Sequence, residues 1–400
     1  MLARMQVPIV RPFLGDAEAD AVAQVVLSGW VAQGPEVAAF EKEFAAAVGA
    51  PHAVAVSSCT TALELCYRVL GIGLGDDIVT VSHSFIATAN SVLSVGARPV
   101  FVDIDPKTFG MDPSLVEAAL TPKTRAIVIA HQLGFPCELS AIVDLATQRR
   151  IPVIEDAACA LGSEIQWKGK WQRIGRPHGF LACFSFHPRK IITTGDGGMI
   201  TTADEAIALR LRRLRQHGMS VGATIRHGSQ RVVFESFVEP AYNCRMTDMQ
   251  AAMGRTQLAI LGKFIAIRRT LAHRYHVLLK DHPLLVAYAE PDWMRANYQS
   301  YPLRIRPGSK LSQVEIIQHM LDRGVACQRG VGNAHSEPAY GNGIWTCGGE
   351  PCDPKLHAAG QCQRLRQSEE ARDGTILVPL FHGMTDAEHD HVVGALRALA

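Results

Sequence analysis

Between residues 53 and 155, short β-branched runs alternate with longer stretches of helical periodicity, and this pattern restricts the fold more than any other feature of the chain. Ala53–Val56, Ile78–Val81, Pro99–Asp103, Ala126–Ala130 and Ile151–Glu155 read as strands. Between them Ala62, Leu63, Cys66, Val69 and Leu70 follow helical spacing, as do Ala87–Val95 and the stretches that begin near Pro113 and Leu139. Such alternation implies an α/β fold, with a mostly parallel sheet covered by helices on both faces. Right-handed crossovers then bring the loops that follow the strands to one edge, where ligands bind.

Phe180–Ser185 and Gly198–Thr202 read as two more strands flanking a glycine-rich loop, and a helix is predicted over Asp204–Gln216. After Asn243 the character changes. A helix from Met249 runs into another over Phe264–His282, and a smaller mixed unit follows: strand Tyr301–Ile305, helix Gln313–Arg323, strand Thr375–Leu377 and a closing helix from Ala387. A chain of 400 residues is too long for one small core. It predicts a large domain over 1–255 and a smaller α+β domain over 256–400. Tyr340–Asp373, rich in Gly, Cys and Gln, is the least regular stretch and reads as a functional loop or an insertion.

Forty basic residues against 38 acidic ones give a net charge of +2, and no basic run stands out. The electrostatic footprint of a nucleic-acid binder is missing. No segment approaches the roughly 18 uninterrupted apolar residues of a membrane span. The N-terminus lacks a hydrophobic signal core, so a cytoplasmic location with no membrane partner is expected. Cys59, Cys66, Cys137, Cys159, Cys183 and Cys244 lie scattered in or beside apolar stretches, the pattern of reduced, packed thiols.

Three segments carry chemistry. In Phe184-Ser-Phe-His-Pro-Arg-Lys190-Ile-Ile-Thr-Thr-Gly-Asp-Gly-Gly198 a lysine stands between an apolar strand and a glycine-rich turn. Burial there is expected to lower its ammonium pKa, which suits a Schiff base; alone, the same lysine also reads as a loop cation. Val153-Ile-Glu-Asp156-Ala-Ala is a strand running out into an acidic pair. Its Asp156 reads as the carboxylate that keeps a cofactor's pyridine nitrogen protonated, or as a helix cap or metal ligand. Val56-Ser-Ser58-Cys59-Thr60-Thr-Ala-Leu runs from strand into helix, which suits a bound phosphate or simple N-capping by Ser58 or Thr60. Phe85, in Ser82-His-Ser-Phe85-Ile-Ala-Thr88, reads as a cover for a cofactor ring or as core.

The order and spacing of these segments resemble the DegT/DnrJ/EryC1/StrS aminotransferases, the sugar-aminotransferase branch of the fold-type I pyridoxal-phosphate (PLP) enzymes. The resemblance runs from Ser28-Gly-Trp30-Val-Ala-Gln-Gly-Pro35 to Leu377-Val-Pro-Leu-Phe-His-Gly-Met-Thr385. It is most specific in Phe184–Gly198 and in Ala241-Tyr-Asn-Cys-Arg-Met-Thr-Asp-Met-Gln-Ala-Ala252. It implies that Lys190 holds PLP as a Schiff base, that Asp156 pairs the ring nitrogen, and that Phe85 stacks on the ring. Ser58, Cys59 (through its backbone), Thr60 and Ser185 match the phosphate-binding positions. Asn243 matches a residue that reaches the phosphate from the neighbouring subunit, which implies a homodimer with a shared active site. Trp30, His187, Arg329 and His335 are candidates for substrate contact. For Arg329 and His335, in Gln328-Arg-Gly-Val-Gly-Asn-Ala-His335, a bland surface role is the alternative.

The family usually carries Gln or His where this chain has Cys159, a side chain that helps hold the cofactor's phenolic oxygen. It often has a glycine where this chain has Cys59. The implied activity is a two-stage transamination, with glutamate as donor and Lys190 moving protons between donor and cofactor. A histidine replaces this lysine in the family's sugar 3-dehydratases, so Lys190 favours transamination over C–O cleavage. The implied acceptor is a nucleotide-linked keto-sugar, with a keto-cyclitol or another specialised ketone as the alternative.

Other readings carry less. Gly71-Ile-Gly-Leu-Gly75 follows a helix and precedes a strand, the reverse of a dinucleotide fingerprint. Cys347, Cys352, His357 and Cys362 recur every five residues, which is not a usual zinc spacing, and no metal is expected.

Overall fold

The computed structural model describes residues 5–222, 226, 229–341, 343–348, 353, 355, 356 and 361–399. Two helices come first, α1 (Asp16–Ser28) and α2 (Pro35–Val48). Each stops at a glycine in the left-handed region, Gly29 at φ 76° and Gly49 at φ 78°, where the backbone N–H can bond back to the last turn. The predicted alternation follows: β1 (His52–Val56), α3 (Cys59–Val69), β2 (Asp77–Val81), α4 (Ala87–Ser94), β3 (Arg98–Val102), α5 (Pro113–Ala119), β4 (Thr124–Ala130), α6 (Leu139–Arg149) and β5 (Val153–Asp156). A hairpin, β6 (Glu164–Trp167) and β7 (Lys170–Arg173), precedes β8 (Leu181–Ser185), β9 (Gly198–Thr202) and α7 (Glu205–Leu214).

The main sheet has the order β1-β9-β8-β5-β4-β2-β3. Pairing is parallel from β8 through β5, β4 and β2 to β3. β9 runs antiparallel to both of its neighbours, β1 and β8. The reason lies in the connection. A parallel return needs a long crossover, and between Ser185 and Gly198 the chain has only a glycine-rich loop, so it reverses. Alternate residues of each strand enter opposite cores. Val54, Val56, Ile154 and Cys183 pack under α3 and α7, whereas Ala53, Ala55, Val153 and Phe184 pack with Phe40 and Phe44 of α2. Burial on both faces is what makes these strands continuously apolar.

The second half continues with α8 (Asp248–Ala259), α9 (Leu261–Leu279), β10 (Leu285–Ala287), β11 (Met294–Arg295), β12 (Tyr301–Ile305), α10 (Gln313–Leu321), β13 (Gln328–Arg329), β14 (Thr346–Cys347), α11 (Arg366–Asp373), β15 (Thr375–Val378) and α12 (Asp386–Arg397). A four-stranded antiparallel sheet, β10-β12-β15-β13, forms the smaller unit. The boundary expected at residue 255 falls inside α8. That helix is tied to the N-terminal helices: Asp248 accepts from the backbone N–H of Gly34 (2.7 Å), Glu36 (3.1 Å) and Val37 (3.0 Å), capping α2.

Within the stretch 340–373, described residues join the main sheet and its packing. β14 pairs parallel with β3 and closes the far edge of the main sheet. Around it Tyr340, Trp345, Cys347, Cys362 and Leu365 pack on Ala89 and Phe101. The sulfurs of Cys347 and Cys362 are 3.2 Å apart. Cys352 and His357 lie outside the described residues.

Two buried histidines tie stability to pH. His83, in the turn after β2, sets its Nδ1 2.9 Å from Asn333 Oδ1, and His382 stacks on Phe264 with ring centroids 3.8 Å apart. Burial disfavours the imidazolium and lowers each from the usual 6.5 to about 4. Between those values the unfolded chain binds protons that the folded chain refuses. Stability is therefore complete above pH 6.5 and falls as the pH drops towards 4. The loss reaches roughly 3 kcal/mol per histidine at full protonation. Urea unfolding at a series of pH values checks this: the midpoint should hold steady above pH 6.5 and decline below it, with a shallower decline in His83→Asn.

Candidate active site

The site is assembled where β1, β5 and β8 end. β1 turns at Ser57 into α3, and Ser58 caps that helix: its Oγ accepts from Thr61 N (3.1 Å) while its own N–H donates to Thr61 Oγ1 (3.0 Å). Among the described residues, the backbone N–H groups of Cys59 and Thr60 donate to no acceptor. They are left at a helix N-terminus, where a negative charge is favoured. Gly198 pairs with Val56 on one side and Ser185 on the other. A Cβ on it would lie 2.5 Å from the Ser58 carbonyl, so only glycine lets Ser185 be drawn against the start of α3.

Asp156 closes β5 and is buried. Its Oδ2 accepts from Thr88 Oγ1 at 2.7 Å and its Oδ1 from Ala158 N at 3.1 Å. Thr88 in turn is 2.7 Å from Ser84 Oγ. The other half of the acidic pair, Glu155, points away, to His131 Nε2 (3.1 Å) and Gly179 N (3.0 Å). Strand alternation thus assigns the two carboxylates to opposite faces.

Lys190 lies in the loop between β8 and β9, with Nζ 3.1 Å from Cys159 Sγ. Burial works against its ammonium, but Cys159, then Cys59 and Asp156, favour it more, and the net result lies above the usual lysine value. The lowered pKa expected from burial is thus not what this chain alone provides, because a thiol and a carboxylate share the pocket. The cleft floor is braced from the second half of the chain. Asn297 Nδ2 donates to the carbonyls of Cys159 (2.8 Å) and Leu161 (2.9 Å), and Gln299 Nε2 donates to the carbonyl of Arg189.

Phe85 is 75% exposed and lines a cavity of about 900 Å³ with Asn90, Gln328, Arg329, Asn333 and Glu337. Arg329 is solvent-reached there, 3.5 Å from Glu337. His335, one of the substrate candidates, is instead buried beneath this wall. Its Nδ1 is 2.6 Å from Ser82 Oγ and its Nε2 3.1 Å from Glu369 Oε1, so both ring nitrogens are occupied in fastening the wall to the sheet. His187 caps its own loop, with Nδ1 accepting from Arg189 N at 3.2 Å. Trp30 donates from Nε1 to the Gln33 carbonyl (3.1 Å) and lines a separate, larger cavity of about 1010 Å³ with Asp248 and Arg255. Neither cavity is lined by Lys190 or Asp156, but the one at Phe85 includes Ser84, which reaches Asp156 through Thr88. Asn243 is exposed and bonded to Arg245 Nε (2.9 Å), while the carbonyl of Cys244 accepts from Ser57 N (2.9 Å).

The sequence reading missed Thr88, Asn297 and Gln299. Thr88 carried a signal, since it closes the Ser82–Thr88 motif that holds Phe85 and lies in the first turn of α4. Asn297 and Gln299 had none, because their partners are more than a hundred residues away in the chain.

The model of the DegT/DnrJ/EryC1/StrS aminotransferase family matches residues 12–397. The chain belongs to that family. It is 40% identical over 298 residues to the spore coat polysaccharide biosynthesis protein SpsC of Bacillus subtilis (strain 168), covering 74% of this chain and 75% of SpsC. The aminotransferase TlmJ of Streptoalloteichus hindustanus superposes with a TM-score of 0.85 at 31% identity, over 98% of each chain. The PLP form of Spr1654 of Streptococcus pneumoniae, a putative sugar aminotransferase by its name, superposes with a TM-score of 0.87 at 25% identity, over 99% of this chain and 98% of that one. This chain is a PLP-dependent aminotransferase.

The residues present fit that cofactor: a primary amine, a buried carboxylate with fixed orientation, and two unpartnered N–H groups beside the hydroxyls of Thr60 and Ser185. Two substitutions examine the fit. Gly198→Ala should push Ser58 and Cys59 outward and weaken PLP binding ten- to a hundredfold, on the order of what a 1 Å misplacement costs; fluorescence titration with PLP measures it. Thr88→Val should leave Asp156 with one fewer donor and weaken binding by about tenfold, with Thr88→Ser recovering most of the loss.

Proposed function

We propose that this chain moves an amino group from L-glutamate to the keto group of a nucleotide-linked keto-sugar, as a cytoplasmic homodimer with shared active sites. The observation that carries the reading is the convergence of Lys190, Asp156 and the start of α3, with an open cavity that adjoins Asp156 through Ser84 and Thr88. That cavity offers amide side chains (Asn90, Gln328, Asn333) suited to sugar hydroxyls and a solvent-reached cation, Arg329, suited to a phosphate. The names of two relatives support the sugar: SpsC belongs to polysaccharide biosynthesis and Spr1654 is called a sugar aminotransferase.

Bound PLP supplies an electron sink that makes a proton on the amine-bearing carbon acidic. The chain's residues do the rest. Asp156, its oxygens fixed by Thr88 and Ala158, holds a proton on the cofactor's ring nitrogen. Pairing Asp156 with that positive ring removes one of the charges that keep Lys190 protonated. Lys190 Nζ, once neutral, would take the proton from the donor's α-carbon and return it to the cofactor carbon on the other side of the nitrogen. Cys59 N, Thr60 and Ser185 hold the phosphate, and Phe85 covers the ring and keeps water from it. Asn243, whose exposed side chain accepts from Arg245 Nε, completes the phosphate site of the other subunit.

Visible spectra make the first test. The purified protein with PLP should show a Schiff-base band that bleaches on adding L-glutamate and returns with one keto-sugar nucleotide. Return only with a keto-cyclitol would replace the proposed acceptor, and bleaching by another amino acid alone would replace the donor. Lys190→Ala should lose turnover by several orders of magnitude.

The shared site has its own test. Mixing Lys190→Ala with Asn243→Ala chains should form hybrid dimers that contain one intact site, recovering activity well above either variant alone. If no activity returns although hybrids form, Asn243 serves its own subunit.

A further inference from the structure

We propose that Cys159 and Lys190 form a peroxide-sensitive pair, in which Cys159 Sγ and Lys190 Nζ become joined by a sulfur–nitrogen bond whenever Lys190 is not bound to the cofactor. The geometry is the 3.1 Å approach of these two atoms at the bottom of the cleft. Thiolate is the form of a cysteine that attacks peroxide, and Lys190 Nζ lies within hydrogen-bond distance of this sulfur, close enough to exchange the proton and later to bond to it. Cys159, Cys244 and Cys327 are partly exposed, whereas Cys59, Cys66, Cys137 and Cys183 are buried, and of the three partly exposed thiols Cys159 is the one set against a lysine amine. Cys59, 4.0 Å from Asp156 Oδ1, is buried, and burial and then Asp156 push its thiol well above the usual range.

The chemistry closes on its own atoms. Cys159 thiolate attacks one oxygen of hydrogen peroxide, the O–O bond breaks, and Cys159 becomes a sulfenic acid. The departing hydroxide takes a proton from the Lys190 ammonium, giving water and a neutral amine. The sulfenic acid carries no negative charge to hold a proton on the neighbouring amine, which favours the neutral form. The amine then attacks sulfur. The S–N bond forms, the S–O bond breaks, and hydroxide leaves with the amine's proton as a second water. Sulfur has lost two electrons to peroxide, and the protein has lost two hydrogen atoms. An external thiol reverses the link by attacking sulfur and releasing the lysine amine; a second thiol then frees Cys159 from the mixed disulfide.

The consequence, closure of the cofactor site, rests on Lys190 being the cofactor lysine; the link itself does not. Two other sulfur pairs, Cys347 with Cys362 at 3.2 Å and Cys66 with Cys183 at 3.5 Å, would lose the same two hydrogens as disulfides. Intact mass is therefore insufficient, and peptides must be mapped.

Full-length protein is divided into a portion saturated with PLP and one saturated with pyridoxamine phosphate, in which Lys190 is free. Both are treated with near-stoichiometric hydrogen peroxide, alkylated, digested and analysed by mass spectrometry. The expected result is a joined pair of peptides carrying Cys159 and Lys190, two hydrogens lighter than their sum, in the pyridoxamine phosphate portion. It should be absent from the PLP portion and from Cys159→Ser, and it should disappear with dithiothreitol. If Cys159 is found unlinked in the pyridoxamine phosphate portion, as free thiol or sulfinic acid, the proposal is overturned; equal linkage in both portions overturns the competition with the cofactor. Borohydride reduction of untreated PLP protein separates the two readings: failure to label Lys190 sinks its cofactor role, whatever the peroxide result.

Discussion

A carboxylate held at the end of a buried parallel strand is the constraint around which this molecule is arranged. Asp156 sits where β5 stops, in a place water would not supply with enough partners, and the fold provides them. Thr88 and the Ala158 N–H take its oxygens, and His131 N binds its carbonyl at 3.0 Å. Parallel pairing of β4, β5 and β8 brings their ends to one edge, so that the strand holding Asp156 and the strand leading to Lys190 finish side by side. A buried charge of this kind is costly unless satisfied, and the satisfaction here comes from three separate segments.

The reversal at β9 is the second determinant. Because the connection from β8 is a glycine-rich loop and not a helix, the chain turns back, and Gly198 is pressed between Val56 and Ser185. That close approach joins the first strand's exit, with its free N–H groups, to the loop that carries Lys190. The second half of the chain then fixes what the loop would leave free, through Asn297 to Cys159 and Gln299 to Arg189. The loop that leads into β12 of the smaller sheet is therefore part of the site's floor.

Cys159 sets the chemistry of the cleft as much as burial does. A thiol within hydrogen-bond distance of Lys190 changes what the lysine experiences: its net shift follows its neighbours' charges and not its burial. The charge a cofactor ring brings to Asp156 therefore bears directly on the lysine's proton.

The sequence by itself determined the alternation of strands and helices from residue 53, the order of the three chemical segments and the identity of Lys190 and Asp156 as candidates. Those features are local: periodicity and turn residues are read within a few positions of one another. It did not reveal α1 and α2, which precede the alternation, nor β14, two residues whose strand character comes only from pairing with β3. Tertiary structure decided which half of the acidic pair faces the cleft and turned His335 from a substrate candidate into a buried fastening between Ser82 and Glu369. It also set Trp30 in a cavity apart from Lys190 and brought Thr88, Asn297 and Gln299 into the site. In each case the deciding partner lies far away in the chain, and a side chain's charge and direction depend on what the fold places against it, which no short window of sequence contains.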